Sequence, residues 1–145
     1  MRFMIIVKAS ADSEAGIFPV DDTLMAEMTG YHEALQKAGV LLDGNGLKPS
    51  AQGWRIHYGR DGQRRVVDGP FAETKELVAG YWLWNVKSMD EAVEWVRRCP
   101  NPMESDSEIE IRRVFEAEDF GAELTPDLRA QEERLRAEAQ KLKPR

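Results

Sequence analysis

The chain is 145 residues long, 42% hydrophobic and 32% charged, proportions that suit one globular domain with a real hydrophobic core. Its net charge of −6 argues against nucleic acid as a partner, because neutralising phosphates takes a basic surface. The single cysteine, Cys99, excludes an intrachain disulfide and a multi-cysteine metal site.

Read in order, Phe3-Met4-Ile5-Ile6-Val7 is a continuous apolar run, as expected of a strand covered on both faces. The run is too short for a signal-peptide core or a membrane span, so no membrane association is expected and the cytoplasm is the expected location. A loop with Gly16 and Pro19 follows. Asp21 or Asp22 can cap a helix over residues 23–38, with Leu24, Met28, Tyr31 and Leu35 as its apolar stripe and Gly39 as its stop.

A second strand begins at Val40-Leu41-Leu42, and Gly44 and Gly46 are expected to break or bulge it. Trp54, Ile56 and Tyr58 alternate with Arg55 and His57, the pattern of a half-buried strand. Asp61-Gly62 then turns the chain back into residues 64–68. Residues 80–86 are the strongest strand, with Tyr81 and Leu83 on one face and Trp82, Trp84 and Val86 on the other.

Ser88 with Glu91 makes a capping box for a helix striped by Ala92, Val93 and Val96, with Trp95 flanking the stripe. Cys99, next to Pro100 at that helix's end, reads as a small buried thiol. The last core strand spans residues 108–115, with Ile109 and Ile111 opposed to Glu110 and Arg112. A first domain is therefore expected over residues 1–116, and an extension with a charged helix over 117–145. In that helix Thr125-Pro126 forms the start, and Leu128, Leu135 and Leu142 recur every seven residues.

This order predicts an α+β, ferredoxin-like βαββαβ fold, with an antiparallel sheet and two helices on one face. Two helices cannot cover both faces of a sheet whose strands are apolar on both sides. A homodimer, in which a second copy covers the open face, is the expected solution.

Between the 64–68 strand and residue 80 lies Asp68-Gly69-Pro70-Phe71-Ala72-Glu73-Thr74-Lys75-Glu76, a stiff Gly-Pro corner carrying several ionisable groups. Asp68 could act as a general base there, or accept backbone N–H bonds as a turn residue. Lys75 could hold an anionic group, or pair with Glu73 and Glu76. Glu110 and Arg112, facing away from the helices, could line a ligand site, and His32 could carry protons. No metal-ligand spacing, phosphate loop or nucleophile elbow is present, so no cofactor is expected.

The corner, Gly80-Tyr81 after it, Ala38-Gly39-Val40-Leu41, Asp90-Glu91-Ala92 and Glu110-Ile111-Arg112 together resemble the YCII-related proteins, and within them the DGPF subgroup. The resemblance covers nearly the whole chain and implies a dimeric α/β barrel. One related branch holds cofactor-independent enzymes acting on chlorinated hydroxylated aromatics. Others resemble companions of extracytoplasmic-function sigma factors. The family's active-site histidine falls on Met28 here, and His32 lies one turn later on the same side.

The leading expectation is thus a cofactor-independent enzyme doing acid–base chemistry on a small polar or aromatic molecule. Asp68 and His32 would be catalytic, with Lys75, Glu73, Glu110, Arg112 and Phe71 binding the substrate. The alternative is a non-catalytic regulatory or interaction module whose partner is a sigma factor.

Overall fold

A computed structural model describes residues 1–18, 22–73 and 76–142. The chain divides into two compact units, Met1–Arg113 and Val114–Arg145. In the first, β1 (Arg2–Lys8) leads to α1 (Ala11–Glu14), α2 (Asp22–Lys37) and β2 (Leu41–Gly46). A 3-10 turn (Ser50–Gln52) precedes β3 (Trp54–Tyr58) and β4 (Arg64–Asp68), followed by β5 (Val78–Asn85), α3 (Met89–Arg97) and β6 (Ile109–Arg113).

Four strands form an antiparallel sheet in the order β2-β5-β1-β6, while β3 and β4 pair only with each other. With that ribbon set aside, the chain is βαββαβ with its first and third strands central. This is the expected ferredoxin-like arrangement.

Alternation along β1 decides where the core lies. Phe3, Ile5 and Val7 are buried, and Phe3 and Ile5 share a core with Trp84 of β5, Tyr31 and Leu35 of α2, and Ala92 and Trp95 of α3. Ile109 and Ile111 pack against the same core. By the two-residue period of a strand, Met4, Ile6, Leu83, Glu110 and Arg112 face the opposite side. In the single chain Met4 on that side is 36% exposed.

Several local expectations change. The 54–58 strand is not half-buried: every residue of β3 and β4 is exposed, because the ribbon projects from the sheet instead of joining it. Gly44 and Gly46 do not break β2, which runs through both; the register shift falls earlier, between Leu41 and Asp43. The loop after β1 contains the one-turn helix α1, held by reciprocal Ser10 and Ser13 hydrogen bonds of 2.9 and 3.1 Å.

The expected cap at Asp21 lies outside the described residues, as does Pro19; Asp22 is the first residue of α2. Trp95 belongs to the core instead of flanking the stripe, since Tyr31 Oη donates to its carbonyl at 2.7 Å and Arg98 covers its ring at 3.9 Å. At the start of α3, Ser88 Oγ accepts from Glu91 N, but the Glu91 carboxylate accepts from Lys87 N at 2.7 Å. Only half of the capping box forms. β6 ends at Arg113, short of Phe115.

The second unit holds a 3-10 stretch (Ala117–Glu123) and α4 (Pro126–Lys141). Thr125 Oγ1 caps α4 by accepting from Leu128 N at 3.3 Å, and Pro126 fills the first turn, where a missing N–H costs nothing. Arg129 donates to the Ala117 carbonyl at 3.1 Å, and the Phe115 and Phe120 rings lie 5.2 Å apart. Leu128, Leu135 and Leu142 are 48%, 48% and 83% exposed, so the seven-residue repeat is a surface stripe. Among the described residues no helix is long and apolar enough to cross a membrane.

Candidate functional site

A hollow of about 310 Å³ lies at the β2 edge of the sheet within the first unit. Its floor is the paired backbone of β2 and β5 at Gly44, Gly46 and Gly80, and its walls come from α1, α2 and residues 102–104. Met28 and His32, one turn apart on α2, both reach it, beside Trp82, Ile17 and Phe18. Ser10 Oγ donates to Met103 Sδ at 3.4 Å, tying the α1 cap to the 102–104 loop. A lining that is mostly apolar with a few fixed polar groups is the usual make-up of a small-molecule site.

Trp82 organises the polar part. Its indole Nε1–H donates to His32 Nε2 at 3.1 Å, so the neutral imidazole carries its proton on Nδ1. The indole is also confined: Trp84 stacks on it with centroids 6.0 Å apart, and Tyr31 meets it edge-on at 6.1 Å. Gly44 makes room for this arrangement, since a Cβ there would sit 2.4 Å from Trp82 Cδ1. Gly80 is similarly tight, with a Cβ meeting the Asn45 carbonyl at 3.0 Å. Among the described residues the lining includes the carboxylates of Asp12 and Glu104 and no lysine or arginine.

The Asp68 corner is built elsewhere. Gly69 N donates to the Gly53 carbonyl at 2.9 Å, and its Cα lies so near Ser50 that a Cβ would come within 1.7 Å of the Ser50 carbonyl oxygen. Phe71 N donates to Ser50 Oγ at 3.1 Å, while Ser50 N donates to Glu14 Oε2 at 2.9 Å and Ser50 Oγ donates to Glu14 Oε1. A chain of hydrogen bonds therefore joins the corner, through Ser50, to α1. The Arg55 guanidinium lies 4.0 Å from the centroid of the Phe71 ring. Asp68 and Phe71 line a shallower hollow with Arg55, His57 and Arg65. Glu73 is exposed with φ of 62°, and Lys75 lies outside the described residues.

The third group of candidates sits on the open face of the sheet. Glu110 pairs with Arg112 at 3.3 Å and with Lys8 at 3.6 Å, next to Met4 and Ile6 in register. The candidate residues thus fall into three places: His32 at the β2 edge, Asp68 and Phe71 at the base of the ribbon, Glu110 and Arg112 on the open face.

Comparison with known proteins places the chain. The model of the YCII-related domain matches residues 1–118. The chain belongs to the YCII-related family. An uncharacterized protein of Rhizobium meliloti (strain 1021) is 32% identical over 92 residues, 63% of this chain and 73% of that protein. A solved structure, 5-chloro-2-hydroxyhydroquinone dehydrochlorinase (TftG) from Burkholderia phenoliruptrix AC1100 in complex with 2,5-dihydroxybenzoquinone, is similar over 82% of this chain and 98% of its own. The TM-score is 0.41 and the identity 18%.

In this YCII-related chain several lining residues escape a sequence reading. Ser10, Ser13 and Met103 reach the hollow through an irregular loop and a single helical turn, neither of which has a periodic signal. Gly44 was the available clue: a glycine inside a strand marks a close approach, here that of the Trp82 ring. Behind the hollow, burial pushes the Cys99 thiol up to about 11, partly offset by its hydrogen bond with Tyr31. Burial likewise raises the Tyr31 hydroxyl well above the usual phenol range. Both groups stay protonated near neutrality and belong to the core side of α2 and α3.

Proposed function

We propose that the chain is a cofactor-independent enzyme that moves a proton on a small polar or aromatic molecule held in the β2-edge hollow. The observation that carries this reading is His32 on the wall of an apolar cavity, with one ring nitrogen engaged by Trp82 at 3.1 Å. An oriented imidazole in such a place is a suitable proton carrier, and Trp82 and Met28 offer a flat, adaptable surface to a ring. With Nε2 accepting from the indole, Nδ1–H can only donate a hydrogen bond to the ligand; His32 takes up a proton once the substrate displaces the indole N–H and frees the Nε2 lone pair. In the same reading a second copy covers Met4, Ile6 and Leu83, the dimer that the resemblance to α/β-barrel proteins implies, with the Glu110–Arg112–Lys8 group at its edge.

The test is a panel of neutral phenols, aromatic amines and benzoates, read by quenching of tryptophan fluorescence in the wild type and in His32→Asn and Trp82→Phe. Binding by one class, with turnover lost in His32→Asn while affinity is kept, supports the reading. No binding by any class would overturn it. A partner-binding role has one observation of its own, the exposed Leu128–Leu135–Leu142 stripe of α4. Removing residues 126–145 and repeating a pull-down against sigma factors tests it.

A further inference from the structure

The β3–β4 ribbon exposes more apolar surface than a solvated hairpin should. Opposite partners share a face, so the register places Trp54 with Asp68, Ile56 with Val66 and Tyr58 with Arg64 on one side. Trp54, Ile56, Tyr58 and Val66 are 66%, 52%, 66% and 64% exposed. Together they leave roughly 500 Å² of apolar surface open, at the upper end for the largest patch on a monomer. The other side of the ribbon has an internal partner, Phe71 under Arg55.

The charges on the exposed side select the occupant. Asp68 stands at one end and Arg64 at the other, about 13 Å apart at strand rise. The Arg64 guanidinium lies 5.1 Å from the Tyr58 ring centroid, which keeps it on this face. A face with an apolar centre, an anion at one end and a cation at the other is complementary to itself after a half-turn across its length.

We propose that this face of the ribbon docks on the same face of a second copy, about a two-fold axis through the Ile56–Val66 pair. Ile56 then meets Ile56, Val66 meets Val66, and Trp54 meets Tyr58. Asp68 of each copy meets Arg64 of the other, giving two ion pairs around a dry centre. The arrangement is isologous and therefore closes instead of forming fibres. With its charged ends the face approaches the roughly 800 Å² per partner of a standard interface. The contact is separate from the one proposed for the open face of the four-stranded sheet, and does not depend on it.

The geometry makes a specific demand on charge reversal. Asp68→Arg alone sets arginine against Arg64, and Arg64→Asp alone sets aspartate against Asp68. Either reversal weakens self-association by about a hundredfold in dissociation constant, because two like-charge contacts are made at once. The double variant Asp68→Arg/Arg64→Asp restores both pairs and recovers association to near the wild-type value. Sedimentation equilibrium of the full chain and of these three variants, at low and at high salt, measures this, with far-UV circular dichroism confirming the fold. Leu83→Asp, on the open sheet face, separates the two interfaces. Association that ignores both single reversals, or that the double variant fails to restore, overturns the proposal and gives the ribbon to a different occupant. A wild-type chain that stays a single protomer at every concentration does the same.

Discussion

Replacing Gly44 with alanine tests the His32 site at its structural root. The new Cβ would lie 2.4 Å from Trp82 Cδ1 and 3.1 Å from Nε1, against an ordinary carbon contact of about 3.7 Å. The indole must retreat by about 1.3 Å, but Trp84 and Tyr31 hold it from two sides. Forced repacking of this kind costs about 1–3 kcal/mol. Losing the hydrogen bond to His32 adds about 1 kcal/mol, and the stiffer unfolded chain returns about 0.4–1 kcal/mol.

The net expectation is a loss of about 2 kcal/mol, or a fall in Tm of about 4–8 °C for a chain of this size. Urea melts followed by tryptophan fluorescence give the free energy. The 15N shifts of the His32 ring report separately whether Nε2 still accepts. Gly46→Ala, with nothing within 4 Å of the new Cβ, is the matched control in the same strand. Gly30→Ala, on an exposed turn of α2 and equally free of contacts, should stabilise by about 0.5–1 kcal/mol. If Gly44→Ala melted within about 0.5 kcal/mol of the wild type with the His32 signals unmoved, the account of the Trp82 nest would be wrong.

Gly69→Ala should be far more damaging, by at least about 3 kcal/mol, because the obstructing atom is the Ser50 carbonyl and backbone cannot swing aside; a melt within about 1 kcal/mol of wild type would contradict it. Ser50→Ala should cost about 1–3 kcal/mol by unpairing Phe71 N and one Glu14 oxygen, measured in the same melts. Burial raises the Cys99 thiol to about 11, so the folded chain keeps a proton that the unfolded chain loses from about pH 8.5. Stability is therefore complete below the ordinary thiol range and falls as pH rises toward 11, and Cys99→Ala should flatten that part of the pH profile. Thr125→Ala removes the cap of α4 and should cost about 1 kcal/mol of helix stability, seen as a lower helical signal on heating.

Much of the sheet was legible because its periodicity is clean. The split of β5 into a Trp82/Trp84 face and a Tyr81/Leu83 face, and the Met28–Tyr31–Leu35 part of the α2 stripe, follow from spacing alone. The ribbon was misread for a physical reason. Alternation of Trp54, Ile56 and Tyr58 with polar residues shows that one face of a strand is apolar, not what covers it. Trp95 was read as flanking its helix's stripe, although three residues after Ala92 it shares that residue's face; the Tyr31 hydroxyl and the Arg98 guanidinium, which enclose it, come from tertiary contact. Of the residues that line the β2-edge hollow, the sequence singled out His32, one turn after the Met28 position that the family resemblance pointed to. That Asp68 and His32 line different hollows depends on the long-range placement of the ribbon, which local sequence does not encode.

The corner after β4 carries the chain's most specific sequence, and its groups are largely engaged in holding the ribbon. The Gly69 N–H goes to Gly53, the Phe71 N–H to Ser50, and both Glu14 oxygens to Ser50. Through Glu14 this brace reaches α1, whose other residues Asp12 and Ser13 form part of the His32 hollow. The two regions are thus mechanically joined though chemically separate. A rigid corner keeps α1 in place, and α1 shapes the cavity in which the imidazole sits. A substitution at Gly69 or Ser50 should therefore disturb ligand binding beside His32 without touching a lining side chain. The Phe71 side chain, packed under Arg55, can be trimmed to leucine with the brace intact and should leave that binding unchanged. Equal losses in Ser50→Ala and Phe71→Leu would mean general unfolding, and would remove the case for a brace acting through α1.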